Sequence, residues 1–431
     1  MASSGVVLLL NDVVLYDNKN AGQDQEIFGL WYSQHSIRPL NIHQSKLDYY
    51  FRLPYLKLYE KITKLFAISD MKIAIYTTAH GFGHASRSYE VAKTLVNCDN
   101  KLTVHFNSAV PDSFFAGEEH PRIFRRKVKL DVGICQVDSL TMNLPGTLDD
   151  LDQLAIQEES LISRETKYIR AENIRFILAD LPHLAIEAAV RSGVPVWGMS
   201  NFSWDWIYGT YAEDYPGLDR HIKRIISSYK KADGLFTLPF SGDMESFANR
   251  IEVPLIARKS MLGKSESRRR LGLSESDRVV LFSFGGVRLK LPEQVHSSRG
   301  LVLISSEPSP DPGEPFLYVT NRKRAELKLR YPDLVAAADA VVSKPGYGIV
   351  SECIANRTAL IYTSRGNFRE YPVLVEEMGE YLPAEKVCVE DFKTGRWVEA
   401  FQRLLEATFP PEVDCSGAEV VAGKILGECG I

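Results

Sequence analysis

At 431 residues, 45% of them apolar and 25% charged, the chain is long enough to bury two sizeable cores and has the composition of an ordinary globular protein. A net charge of −4 argues against a general nucleic-acid binder and a polybasic membrane surface. No apolar run approaches the roughly 20 residues of a membrane-spanning helix.

The apolar start Val6–Leu10 is interrupted by Asn11-Asp12 and the first basic residue is Lys19, unlike a signal or transit peptide. Residues 1–70 hold aromatic clusters, Phe28 to Tyr32 and Tyr49 to Leu58, without a clean period. They are read as an N-terminal extension of unassigned role, with Met71 resembling a natural chain start. From Met71, strand-like runs at 72–77, 101–107, 174–179, 194–199 and 234–238 alternate with helical segments at 85–96, 151–170 and 184–192. That alternation predicts a parallel, doubly wound sheet over 71–260. The charged stretch Lys264 to Arg270 reads as a solvated helix start. A second α/β series, 278–286, 301–305, 316–319, 339–343, 359–363 and 386–389, predicts another such domain over 261–431. Its amphipathic end, Gly417 to Cys429, is expected to pack back on the body as a helix. The fold class is therefore α/β, with two Rossmann-like domains facing a cleft and each ligand crevice at the carboxyl ends of its strands. The six cysteines (Cys98, Cys135, Cys353, Cys388, Cys415, Cys429) form no CxxC pair and read as reduced, mostly buried residues of a cytoplasmic protein.

The most informative string is Met71 to Arg87, where a short β-run feeds the loop His80-Gly-Phe-Gly83-His84 and a helix follows at once. Glycines there let backbone approach a ligand, and His84 brings an imidazole able to act as a base near neutral pH. Its best partner is Asp180, at the end of another parallel strand: a carboxylate on the second ring nitrogen orients the imidazole. His80 and His84 are not read as a metal pair, since the intervening loop lacks helical i, i+4 geometry and no third ligand stands out. Arg87, one turn into the helix, has two readings, an anion contact or capping and surface packing.

In the second domain Lys344-Pro-Gly346-Tyr347-Gly348 opens a helix that could hold a diphosphate, with Glu352 one turn on to accept from a ribose diol. The alternative is a tight turn with a surface Glu; neither GxxxxGK[ST] nor GxGxxG is present. Gly285 and Gly286, after the first strand of this domain, are expected on the other side of the phosphates. Arg365 and Glu370 follow a later strand, with Glu370 suited to sugar hydroxyls. Trp204, Trp206, Tyr208 and Tyr211 form either an aromatic wall for a sugar ring or core lining, with Asp205 the polar contact among them. No Asp-x-Asp element ends a strand, so nothing calls for a divalent metal.

With these residues placed, the chain resembles the two-domain nucleotide-sugar glycosyltransferases of the GT-B fold, the class that includes the UDP-glycosyltransferases. The resemblance implies an acceptor-binding N-terminal domain, with Gly83, Arg87, Trp204 and Asp205 on the acceptor side, and a C-terminal domain that holds the nucleotide sugar. It implies a base histidine and a supporting aspartate, matched by His84 and Asp180 in order and in their 96-residue spacing. The signature proper, with its Trp, His-Cys-Gly-Trp-Asn and Asp-Gln elements, is missing, which leaves the nucleotide base open. A closer resemblance, over roughly Met71 to Leu405, is to the glycosyltransferase-like N-terminal half of plant L-arabinokinases. It runs through His80 to Arg87, Arg126 to Asp131, Gln136 to Thr141, Asn201 to Tyr208 and Gly346 to Glu352. No Gly/Ser-rich kinase phosphate loop follows, so ATP-dependent sugar phosphorylation is not implied.

The expectation is an inverting, metal-independent glycosyltransferase with no cofactor, using a nucleoside diphosphate sugar and a small-molecule, glycan or lipid acceptor. The other two readings are a nucleotide-sugar-binding or regulatory module, and a nucleotide-sugar epimerase or hydrolase.

Overall fold

The computed structural model describes residues 7–10, 13–16, 71–78, 80–137, 141–283, 300–306 and 316–430. The chain divides into two compact units, Met1–Phe66 and Ala67–Ile431. In the first, β1 (Val7–Leu10) pairs antiparallel with β2 (Val13–Tyr16). The aromatic clusters at 28–32 and 49–58 lie outside the described residues.

The larger unit is built on two sheets whose strands are all parallel. The first comprises β3 (Lys72–Thr77), β4 (Thr103–Asn107), β5 (Ile123–Arg126), β6 (Phe176–Asp180), β7 (Val196–Ser200), β8 (Gly234–Thr237) and β9 (Arg250–Glu252), in the order β5-β4-β3-β6-β7-β8-β9. Between them run α1 (Phe82–Cys98), α2 (Leu144–Ala171), α3 (His183–Ser192), α4 (Trp204–Gly209) and α5 (Asp219–Tyr229). The second comprises β10 (Arg278–Ser283), β11 (Leu301–Ser305), β12 (Phe316–Tyr318), β13 (Ala340–Ser343), β14 (Ala359–Tyr362) and β15 (Ala384–Lys386), in the order β12-β11-β10-β13-β14-β15. Its helices are α6 (Gly263–Leu271), α7 (Asn321–Leu327), α8 (Tyr331–Ala337), α9 (Tyr347–Asn356), α10 (Glu370–Glu377), α11 (Val389–Thr394), α12 (Trp397–Leu405) and α13 (Gly417–Glu428).

Central strands such as Ile73–Thr77 and Phe176–Asp180 are buried along their length, because helices cover both faces of a parallel sheet. In each sheet the order reverses at a central strand, and a crevice opens there beyond the strand ends. Thr77 pairs with Asp180 across that point in the first sheet, and Ser283 with Ser343 in the second.

One apolar cluster joins the two lobes, taking in Leu95 and Val96 of α1, Leu255 and Ile256 between the sheets, Val350 of α9, and Val421 and Ile425 of α13. The expected terminal helix does pack back, and it lies against α1 of the first lobe. Backbone bonds from Leu255 to Asp414 and from Gly417 to Leu255 hold it there.

Three expectations are corrected, and two strands are added. The short edge strands β5 and β9 carry no long apolar run and escape a periodicity reading. The strand placed at 386–389 ends at Lys386, and α11 starts at Val389 with acidic Glu390 and Asp391 in its first turn, where a helix N-terminus favours them. The Lys264–Arg270 helix is not solvated throughout: Arg268 is buried, bonding the Ala337 carbonyl and Asp339, while Arg269 and Arg270 pair with Glu266. All six cysteines are free, but only Cys353 is buried, while Cys98 and Cys388 are exposed. Among the described residues, no helix is long and apolar enough to cross a membrane.

Candidate active site

His84 leaves the loop after β3 on the first turn of α1, and Asp180 ends β6 beside it, so the register of the two strands brings them together. His84 Nδ1 lies 2.7 Å from Asp180 Oδ1. The turn into α1 needs glycine at its cap, since Gly81 has φ +78°, a conformation side chains other than glycine rarely adopt.

Arg87 decides which proton His84 carries. Its guanidinium is buried against the carboxylate: Nε donates to Asp180 Oδ2 and Nη2 to Oδ1, both at 2.7 Å. Nη1 donates to Asn201 Oδ1 at 2.6 Å, and Nη2 to Ser200 Oγ at 2.9 Å. Nη2 also lies 2.8 Å from His84 Nδ1, but its two hydrogens are already committed to Asp180 and Ser200. Nδ1 therefore carries the imidazole proton and donates it to Asp180, which leaves the lone pair on Nε2. Ser88 Oγ donates to Asp180 Oδ2 as well.

The electrostatics agree with a neutral base. Burial pushes the His84 pKa below its usual value and the Arg87 charge adds to this, against the opposing pull of Asp180. Burial alone would raise the Asp180 pKa, but the Arg87 and His84 partners bring it down to about 2. The ion pair likewise raises Arg87 despite its burial. At neutral pH the site is a fixed carboxylate–guanidinium pair beside an uncharged imidazole.

The opposite lobe meets this site backbone to backbone. A Cβ built on Gly348 would lie 2.6 Å from the Gly83 Cα, and one on Gly83 would lie 3.1 Å from the Gly348 nitrogen. The N-terminal turns of α1 and α9 thus abut, and the approach requires glycine at 348. Replacing Gly348 with alanine is expected to force the lobes apart, at a cost on the order of 1–3 kcal/mol for overpacking against backbone. Thermal melting checks this; an unchanged midpoint would mean the two turns are not in contact.

Several expected ligand contacts are instead internal ones. Arg87 is not a surface or capping residue but the buried centre of the network. Trp204 is fully buried, its Nε1 donating to Asp131 Oδ2 at 3.1 Å, and Tyr208 and Tyr211 are buried too, so core lining prevails over a sugar wall. The Trp204 ring backs the histidines instead, 5.2 Å from His80 and 6.4 Å from His84. Asp205 accepts from Ser246 Oγ at 2.6 Å rather than facing an acceptor. Tyr347 is turned inward, its ring under the Arg87 guanidinium at 4.9 Å and its hydroxyl accepting from the Ile256 backbone. Glu352 is buried against Arg258, 2.6 Å from Nη2 and 2.7 Å from Nε, which corrects the reading of a carboxylate open to a ribose diol. Glu370 is also buried, Oε1 accepting from Asn201 Nδ2 at 2.9 Å and Oε2 from Arg365 Nη1 at 2.5 Å, a bridge and not an open sugar receptor. Gly285 and Gly286 lie outside the described residues. Arg365 and Lys344 gather beside the Gly346 turn: a Cβ on Gly346 would lie 3.4 Å from Arg365 Nη1. Burial lowers the pKa of His80 to about 3, with the charges of Arg365 and Lys344 contributing. Among the described residues, no group of three His, Cys, Asp or Glu side chains could hold a metal ion.

Sequence reasoning missed Asn201, quoted only inside a longer string, and Gly133, where a Cβ would lie 2.2 Å from the His80 ring. Asp131 was likewise quoted only as the end of a longer string, yet burial raises its pKa to about 6 despite hydrogen bonds from Thr78 and Trp204. A folded-state pKa above the unfolded value means this acid favours folding at low pH, and the benefit is lost as pH rises from about 4 to about 6. Asp131→Asn, which keeps an acceptor for Trp204, is expected to stabilise the fold at pH 7 by on the order of 2–3 kcal/mol. The gain should vanish near pH 4; denaturant titration at both pH values measures it, and a gain equal at both would refute the assignment.

No family model matches the chain. It is 30% identical over 363 residues to an L-arabinokinase of Arabidopsis thaliana, an alignment that takes in 83% of this chain and 34% of that protein. The chain thus spans about a third of that relative's length. Among solved structures it resembles a calicheamicin glycosyltransferase, with a TM-score of 0.56 at 13% identity over 84% of this chain and 98% of that one. It also resembles a UDP-glucosyltransferase from Polygonum tinctorium capable of glucosylating indoxyl, with a TM-score of 0.52 at 13% identity over 84% and 98% of the two chains. At such identities the likeness is one of fold, and the fold is GT-B.

Proposed function

On the GT-B frame that the chain carries, we propose a glycosyltransferase that moves a sugar from a nucleoside diphosphate sugar to a hydroxyl acceptor, with inversion and without a metal ion. In this reading the lobe of residues 71–260 takes the acceptor and the lobe of 261–431 the nucleotide sugar. UDP is the favoured nucleotide, by analogy with the Polygonum tinctorium UDP-glucosyltransferase.

The observation that carries the proposal is His84, held through Nδ1 by ionised Asp180 with its Nε2 lone pair left over, where Gly83 meets Gly348. His84 Nε2 takes the proton of the acceptor hydroxyl as that oxygen attacks the anomeric carbon. The bond from the anomeric carbon to the diphosphate oxygen breaks, and the leaving group departs with its electron pair. The N-terminal dipole of α9, with Lys344 and Arg365 beside it, offsets the growing charge.

Incubation with UDP-, GDP- and dTDP-linked sugars, with and without a panel of hydroxyl acceptors, tests the reading by release of nucleoside diphosphate. Release that depends on acceptor supports transfer. Release without acceptor would assign the site to hydrolysis or epimerisation. A binding module is the second reading, favoured because Glu352 and Glu370 are buried in internal ion pairs. Tight nucleotide-sugar binding with no release under any condition would establish it.

A further inference from the structure

We propose that Asn201 is a positioning residue through which Glu370 of the C-terminal lobe orients the His84 base in the N-terminal lobe. The proposal rests on the glycosyl-transfer reading above. Asn201 is fully buried just after β7, and its side-chain amide works at both ends. Oδ1 accepts from Arg87 Nη1 at 2.6 Å, and Nδ2 donates to Glu370 Oε1 at 2.9 Å and to the Phe240 carbonyl at 3.4 Å.

The chemistry of the two neighbours dictates what can stand between them. A guanidinium only donates and a carboxylate only accepts, so the link must accept on one side and donate on the other. A neutral amide does both without adding charge to a site that already alternates. The sequence of contacts is Arg365, Glu370, Asn201, Arg87, Asp180, His84, each within hydrogen-bond distance of the next. Glu370 opens α10 in the second lobe, whereas Arg87, Asp180 and His84 belong to the first. Fully connected buried networks of this kind are rigid, and separating one end disturbs the rest. Movement of the C-terminal lobe takes Glu370 away from the Asn201 amide, which can then turn from Arg87 and loosen the carboxylate that holds the imidazole. The base is thereby aligned only while the two lobes are together, which protects a bound nucleotide sugar from premature attack.

The test is the pH profile of kcat and KM in the full-length chain carrying Asn201→Asp. The new carboxylate keeps an acceptor for Arg87 but loses the donor to Glu370. The charged or titratable groups around this pair are Arg87, Asp180, His84, Tyr347, Glu370 and Arg365. Misalignment of the base is expected to lower kcat roughly 10- to 100-fold at about pH 8. KM for the nucleotide sugar should change far less. As pH falls, a proton shared by the introduced carboxylate and Glu370 restores the donor, so the deficit should shrink towards about pH 5.5. The double variant Asn201→Asp/Glu370→Gln re-creates a donor–acceptor pair and is expected to recover kcat to within about threefold with no acid dependence of the recovery. The double variant also carries the test if the single one fails to fold. A single variant whose profile runs parallel to the wild type, or a double variant that folds with no recovery, would overturn the relay. His84→Ala separates this failure from that of the parent reading: if it abolishes turnover while Asn201→Asp does nothing, only the relay falls.

Discussion

Replacing His84 with alanine is expected to lower kcat by roughly 10²–10⁴-fold, the usual worth of a general base. In the proposed mechanism the removed atoms include the lone pair that takes the acceptor's proton, while Lys344, Gly346 and Arg365 stay in place on the other lobe. Nucleotide-sugar affinity, measured by calorimetry, should therefore change little. Turnover within a factor of about two of the wild type would remove the base from the mechanism. The wild-type pH profile supplies a second check. Only neutral His84 can accept a proton, and burial moves its pKa below 6.5, so kcat/KM should stay flat through neutrality and fall only on the acid side. An inflection well above pH 7 would contradict a depressed imidazole.

Asp180→Ala carries the largest expected cost in stability. Asp180 is fully buried and takes hydrogen bonds from Arg87, Ser88 and His84. Its removal strands the buried guanidinium without a counter-ion, a loss of about 3–5 kcal/mol by the behaviour of broken buried ion pairs. Asp180→Asn retains part of the hydrogen bonding and should lose less stability while still impairing turnover, because the amide cannot neutralise Arg87. Equilibrium denaturation ranks the variants, and Asp180→Ala losing less than about 1 kcal/mol would show that Arg87 is solvated in the native state. The same pair predicts the acid response of the wild type. The folded pKa of Asp180 lies below the unfolded 3.8, so its contribution is complete above about pH 4 and disappears as pH falls towards 2.

How much of this was legible before any coordinates depends on the range over which each interaction acts. Parallel α/β architecture follows from local periodicity, and His84 with Asp180 follows from one rule, that strand ends flanking the reversal of a doubly wound sheet share a crevice. Arg87 was visible but ambiguous. Three residues after His84 on a helix, it can face solvent or sheet, and only the packing of α1 over β6 and β7 surrounds it with Asp180, Ser200 and Asn201. The aromatic string after β7 was ambiguous for the same reason: spacing marks a packed face without saying whether sheet or ligand covers it.

The chain's own pattern of apolar runs, glycines and strand-end polar residues determined the two lobes, the sites of their crevices and the identity of the histidine–aspartate pair, because those features act over a few residues at a time. Tertiary structure alone decided the partners of Glu352 and Glu370. Arg258 stands 94 positions from Glu352, and Asn201 stands 169 from Glu370. A charge taken out of water must be matched by whatever is buried with it. Nothing local in the sequence says which distant side chain that is.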